Sequence, residues 1–194
     1  MTERTLIVMA RAPRLGQGKT RLAREAGRAE ALRINRALQA HTLRVAIDAR
    51  WRTVIAVTPD RAQVPVQAHV ARVPQGRGDL GMRMARAMLS ARGAVAIVGT
   101  DCPEMTRADV AAAFAALRRA PVAIGPARDG GFWLLAAHRA RDAVHAFEGV
   151  RWSSAHAMHD VIARLNVRVA TLRTLSDIDT LADWRAYRRR QREP

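Results

Sequence analysis

The chain has 194 residues, 49% apolar and 26% charged, which is enough for a folded core and excludes a disordered polymer. Its formal net charge is +16, but every basic residue except Lys19 is arginine, and the chain is rich in alanine and poor in aromatics. A GC-rich genome writes proteins in this way, so the charge alone selects no polyanionic partner, and nucleic acid is disfavoured.

In chain order the hydrophobic pattern alternates between strands and helices. Leu6–Ala10 is a continuous apolar run, as in a strand buried on both faces, and is too short for a signal peptide. A loop with Pro13, Gly16 and Gly18 follows, and residues 21–48 carry helical spacing that predicts one long helix. Strands are predicted at 54–57 and 70–73, then a helix over 80–91, a strand at 94–98 and a helix over 105–119 capped by Thr106. Strands at 122–125 and 132–136 flank Asp129-Gly130-Gly131, a hairpin-type turn that implies one antiparallel member. A helix near 154–165, a strand at 167–172 and a helix from 179 to 190 complete the pattern, with a loose charged tail over about 189–194. This alternation predicts one α/β domain with a mixed, mostly parallel sheet in three layers. No apolar stretch reaches the ~20 residues of a membrane span. Cys102, the only cysteine, excludes an intrachain disulfide. The expectation is a cytoplasmic protein with no membrane partner.

In open α/β sheets ligands sit at the carboxyl ends of strands, where the polar clusters of this chain fall. The first runs from Pro13 through Gly16 and Gly18 to Lys19 and Arg21. Its glycines let backbone amides approach a ligand, the next helix start favours phosphate, and Lys19 and Arg21 add charge. A lone lysine among arginines suggests a need for a compact ammonium. Gly18-Lys19-Thr20 is similar to a Walker A loop, but Pro13 stands where that motif needs glycine and lacks the amide.

Gly99-Thr100-Asp101-Cys102-Pro103 follows a buried strand directly. A carboxylate there suits Mg²⁺ or Mn²⁺ beside nucleotide phosphates, while Cys102 reads as a packing residue. Asp129, Gly130 and Gly131 lead into Phe132 and Trp133, an aromatic pair fit for a substrate wall. Gly78 and Asp79 open a helix, where Asp79 is either its cap or a nucleoside contact. Asp177-Ile178-Asp179-Thr180 either caps the last helix or brings a carboxylate to a metal. His156 and His159 stand three apart on a predicted helix without a third metal ligand, so a surface or packing role is favoured for them and for His69.

Six segments in order carry a resemblance: Ala10–Leu22 (ARAPRLGQGKTRL), Gln75–Met84 (QGRGDLGMRM), Gly99–Pro103 (GTDCP), Asp129–Leu135 (DGGFWLL), Arg151–Ser154 (RWSS) and Asp177–Thr180 (DIDT). The chain resembles a small bacterial family of the GT-A (nucleotide-diphospho-sugar transferase) superfamily, labelled arsenosugar-biosynthesis-type glycosyltransferase or domain of unknown function. Two positions depart from it, Arg11 in place of lysine and Met82 in place of an acidic residue. The resemblance implies a single Rossmann-like GT-A domain over residues 1–194, using a nucleotide donor (NDP-sugar or NTP) and Mg²⁺ or Mn²⁺. It places Lys19 and Arg21 on phosphates and Asp101 on the metal with Asp179 near it. Pro13, Gly16, Gly18, Gly78, Asp79 and Gly99 would surround the nucleotide. Asp129, Gly130, Gly131, Phe132, Trp152 and Ser153 would face the acceptor. Glycosyl transfer to a small-molecule acceptor leads. Nucleotidyl transfer to a phosphorylated acceptor with loss of pyrophosphate is the alternative, and a non-catalytic nucleotide- or nucleic-acid-binding protein is the alternative of another class. A homodimer stays open.

Overall fold

Along β1 (Arg4–Arg11), Leu6, Val8 and Ala10 turn to one face while Ile7 turns to the other, and all four are buried. The same alternation divides β4 (Ala94–Val98), so the centre of the sheet is covered on both sides, as its continuous apolar runs require. The computed structural model describes residues 3–64 and 70–192; His69 lies outside them. Between β1 and β4 come α1 (Thr20–Ala26), α2 (Arg28–Ala46), β2 (Arg52–Thr58), β3 (Ala71–Pro74) and α3 (Leu80–Leu89). After β4 come α4 (Arg107–Ala116), β5 (Val122–Pro126), β6 (Phe132–Ala137), α5 (Ala157–Arg164), β7 (Val169–Thr171) and α6 (Leu181–Arg190).

The seven strands lie in the order β3-β2-β1-β4-β6-β5-β7. β6 runs antiparallel to β4 and β5, and every other pairing is parallel. The fold is therefore the mixed, mostly parallel α/β sheet expected. The chain builds β2 and β3 on one side of β1 and returns to β4 on its other side. At that point the order reverses, and the loops after β1 and β4 diverge around a crevice at the carboxyl edge.

One expectation is corrected. The long helix over 21–48 is two helices, because Gly27 takes φ 82 and ends α1 before α2 starts. Glycine holds that left-handed conformation without the side-chain clash other residues would suffer. The last helix ends at Arg190 as expected, and Glu193 and Pro194 lie outside the described residues. Thr106 caps α4 as expected, and the short Asp109 side chain does close the capping box, accepting from the Thr106 amide at 2.8 Å.

A third, smaller cluster of Leu22, Ala31, Ile34, Leu38 and Ile178 packs α1 and α2 against the segment before α6. Ile178 is 1% exposed, and its amide donates to the Asp101 carbonyl at 3.0 Å. Burial of this one side chain carries its neighbours Asp177 and Asp179 to the mouth of the crevice.

Candidate active site at the carboxyl edge of the sheet

Five chain segments wall a cavity of about 690 Å³ over the ends of β1 and β4. Lys19, Thr20 and Arg21 enter from the first loop, Gly99 and Asp101 from the end of β4, and Asp177 and Asp179 from the segment before α6. The opposite wall comes from Asp129, Gly131 and Phe132 with the turn Trp152–Ala155. Met9, Met84 and Ile97 form an apolar floor.

Lys19 occupies the position that caps α1, where no side chain caps the helix, and its backbone is left-handed at φ 47. Its ammonium is 2.9 Å from Asp101 and 3.0 Å from Asp179, and it donates to the Ile178 carbonyl as well. Only 7% of the side chain is exposed. Burial works against the charged form, but the two aspartates outweigh it and hold the lysine pKa above its ordinary value. A guanidinium is a broad planar fork and could not take three converging acceptors at one point. This geometry explains a lone lysine in a chain that otherwise uses arginine.

The carboxylates of Asp101 and Asp179 remain 46% and 41% exposed. Among the described residues no three His, Cys, Asp or Glu side chains form a closed metal cage. One or two carboxylates suffice for Mg²⁺ or Mn²⁺ when phosphate and water complete the shell, so the donor set fits a hard divalent ion shared with a nucleotide. Burial, followed by the charges of Asp177 and Asp101, drives the Cys102 thiol pKa up, which leaves no thiolate for nucleophilic chemistry.

On the opposite wall, Asp129 accepts from the Gly131 amide at 2.8 Å. Burial and the nearby charge of Asp129 push the Asp177 carboxyl up to about 6. Trp152 packs edge-on against Phe132 and Phe147, with ring centroids 6.3 and 5.9 Å apart. Beside it Ser153 takes φ 60; Lys19 and Ser153 are the two non-glycine residues with positive φ among those described, and both line the cavity. Strain of this kind persists only where surrounding structure enforces it. Asp160 of α5 anchors the residue at the start of this turn. Its buried carboxylate accepts from the Arg151 amide at 3.0 Å and from the Arg151 guanidinium at 2.9 and 2.7 Å, fixing the start of the turn. Gly130 locks the far end: its carbonyl accepts from the Met158 amide, and a Cβ there would lie 2.2 Å from the Ala155 carbonyl oxygen.

Of the residues expected at the nucleotide, Lys19, Arg21, Gly99 and Asp101 line the cavity. Gly16 and Gly18 instead line a small neighbouring recess with Arg14 and Arg28, and Pro13 lines neither. Gly78 and Asp79 are not at the cavity. Asp79 caps α3, accepting from the Met82 amide at 2.8 Å, while buried Gln75 ties the strand ends through the Ala10 and Ala56 carbonyls. Of the acceptor-side set, Asp129, Gly131, Phe132, Trp152 and Ser153 line the cavity, and Gly130 supports them from beneath. Asp179 does not cap α6. Thr180 does, in a capping box with Asp183, which frees Asp179 for Lys19. His156 precedes α5 and His159 is 80% exposed on it.

Residues 36–154 match the family profile described as "Uncharacterized protein conserved in bacteria (DUF2064)". The chain belongs to this bacterial family. No curated protein sequence matches this DUF2064 chain. Among solved structures it is similar to a protein from Desulfovibrio desulfuricans G20 provisionally described as a nucleotide-diphospho-sugar transferase, at 25% identity and a TM-score of 0.87, over 100% of this chain and 89% of that one. It is also similar in fold to 2-C-methyl-D-erythritol 4-phosphate cytidylyltransferase from Thermus thermophilus, at 18% identity and a TM-score of 0.62, over 99% and 100% of the two chains. A third is Rv0371C from Mycobacterium tuberculosis H37Rv, solved in complex with manganese, at 15% identity and a TM-score of 0.55, over 95% and 97%. The DUF2064 chain thus has the fold of the nucleotide-diphospho-sugar transferases. Among its described residues, no helix is long and apolar enough to cross a membrane.

Sequence reasoning about this DUF2064 protein missed Asp177 as a site residue, along with the floor of Met9, Met84 and Ile97. The available signal for Asp177 was its place two residues before Asp179, which reads equally well as a helix cap. The floor residues look like any other core positions in sequence.

Proposed function

We propose that the protein is a metal-dependent glycosyltransferase that moves a sugar from a nucleoside-diphosphate donor to a small-molecule acceptor. The carrying observation is one cavity with two chemically different walls, a cationic loop facing aspartates on one side and an aromatic wall with carboxylates on the other. Lys19 and Arg21 would bind the donor's diphosphate through their charged side chains. Asp101 and Asp179 would hold Mg²⁺ or Mn²⁺, which when bound would neutralise charge on the departing nucleoside diphosphate. Phe132 and Trp152 would pack against sugar rings and exclude water. Asp129, with Asp177 poised closer to neutral pH, would take the proton of an acceptor hydroxyl. The description of the Desulfovibrio structure supports this reading.

Nucleotidyl transfer is a second reading, favoured by the lysine placed at the end of the loop after β1 and by the cytidylyltransferase neighbour. The two reactions differ in their leaving group. Incubation with Mg²⁺ and either NDP-sugars or NTPs should release nucleoside diphosphate from the former. Release of pyrophosphate from an NTP, dependent on a sugar phosphate, would overturn glycosyl transfer.

A further inference from the structure

We infer that the acceptor is a neutral or amine-bearing hydroxyl compound that carries neither phosphate nor carboxylate. This rests on the transferase reading and adds the acceptor's chemical class. The chain's net charge is +16, so a cavity wall drawn at random would be expected to carry arginine. Among the described residues, however, the cavity lining holds one arginine, Arg21, and one lysine, Lys19, against four carboxylates, Asp101, Asp129, Asp177 and Asp179.

The distribution is sharper than the count. Lys19 lies at the donor end, beside Asp101 and Asp179 and with no ion pair to the opposite wall. Asp129 and Asp177 have no cation within ion-pair distance among the described residues. Arg151, on the flank of the same wall, is turned onto Asp160 and engaged there through two guanidinium nitrogens. A divalent ion and a bound diphosphate would roughly cancel each other, leaving the wall negative. An acceptor phosphate would face two unpaired carboxylates, and like-charge juxtaposition of this kind rejects a partner. A hydroxyl or ammonium group would be received as a hydrogen-bond donor by the same oxygens, with its ring on Phe132 and Trp152.

The test uses one ring with three charges. Cyclohexanol, trans-4-aminocyclohexanol and cyclohexyl phosphate are titrated into the full chain by saturation-transfer NMR, with Mg²⁺ and inorganic pyrophosphate present to occupy the cationic end. The alcohol and amine should bind, and the phosphate at least about tenfold more weakly. The isosteric double variant Asp129→Asn, Asp177→Asn should abolish that preference, with Asp129→Asn alone as the milder version and circular dichroism as the folding control. Phosphate binding equal to or tighter than the alcohol, a preference that survives in the variants, or no binding by any of the three would each overturn the inference. Calorimetry with nucleoside diphosphates runs beside it. Failure there with the charge order intact would refute the donor reading and leave the acceptor wall standing.

Discussion

Replacing Lys19 with methionine keeps the length of the side chain and removes its charge. In the native protein the ammonium joins three segments far apart in sequence: the loop after β1, the end of β4 at Asp101, and the approach to α6 at Asp179. Loss of one partner from a fully buried ion pair costs about 3–5 kcal/mol, and an exposed pair is worth about 0–1 kcal/mol. Lys19 is 7% exposed while its partners are 46% and 41% exposed, so solvent screens the aspartates left behind. The cost falls between the two limits, at about 2 kcal/mol. For a domain of this size that lowers Tm by roughly 4–8 °C. The pH dependence follows from the sign of the shift. The lysine pKa is raised on folding, so its contribution is complete below the unfolded value of 10.5 and fades as pH climbs through the higher folded value. Calorimetric melts of wild type and Lys19→Met should therefore differ by a constant gap from neutral pH to about pH 10 and converge above it. A variant that melts with the wild type at pH 7 would refute the role assigned to this contact.

Three further outcomes follow from the opposite wall. Asp177→Asn should stabilise the protein above pH 6, because the wild-type carboxyl, pushed up to about 6, makes folding less favourable as pH rises from 3.8 through that value; the gain should vanish in melts near pH 4. Gly130→Ala would force a Cβ to 2.2 Å from the Ala155 carbonyl oxygen at φ 88, and overpacking of this kind costs about 1–3 kcal/mol, visible as a lower denaturation midpoint. Asp160→Asn should release Arg151 and loosen the Trp152–Ala155 turn. Acceptor KM should then rise with donor KM unchanged, since the turn carries the acceptor-facing Trp152 and Ser153. An equal rise in both constants would assign Asp160 to general stability.

The fold was readable because its signals are local. Short apolar runs such as Leu6–Ala10 and Ala94–Val98 read as strands buried on both faces, and the Gly130-Gly131 turn between two short runs marks the antiparallel β6. The break at Gly27 was hidden, because helical spacing continues across it and only the backbone angle separates α1 from α2. At the site, sequence singled out Lys19 by its rarity but not its partners, since Asp179 lies 160 positions away. The choice between cap and site residue for Asp177, Asp179 and Asp79 depends on turn geometry. Thr180 took the cap before α6, which left both preceding aspartates to the cavity, while Asp79 took the cap of α3 and left the cavity altogether. The left-handed turn at Ser153 has no sequence signature, and Asp160, which anchors Arg151 at its start, comes from a separate helix.

The central claim is that this cavity binds a donor diphosphate at Lys19 and Arg21 beside a metal at Asp101. A crystal structure of the protein with Mn²⁺ and a nucleoside-diphosphate sugar, phased near the manganese edge, tests it most directly. An anomalous peak is expected at the Asp101 carboxylate, with the diphosphate between it and Lys19 and the sugar directed toward Asp129 and Trp152. Manganese and nucleotide bound elsewhere, with this cavity holding solvent alone, would contradict it.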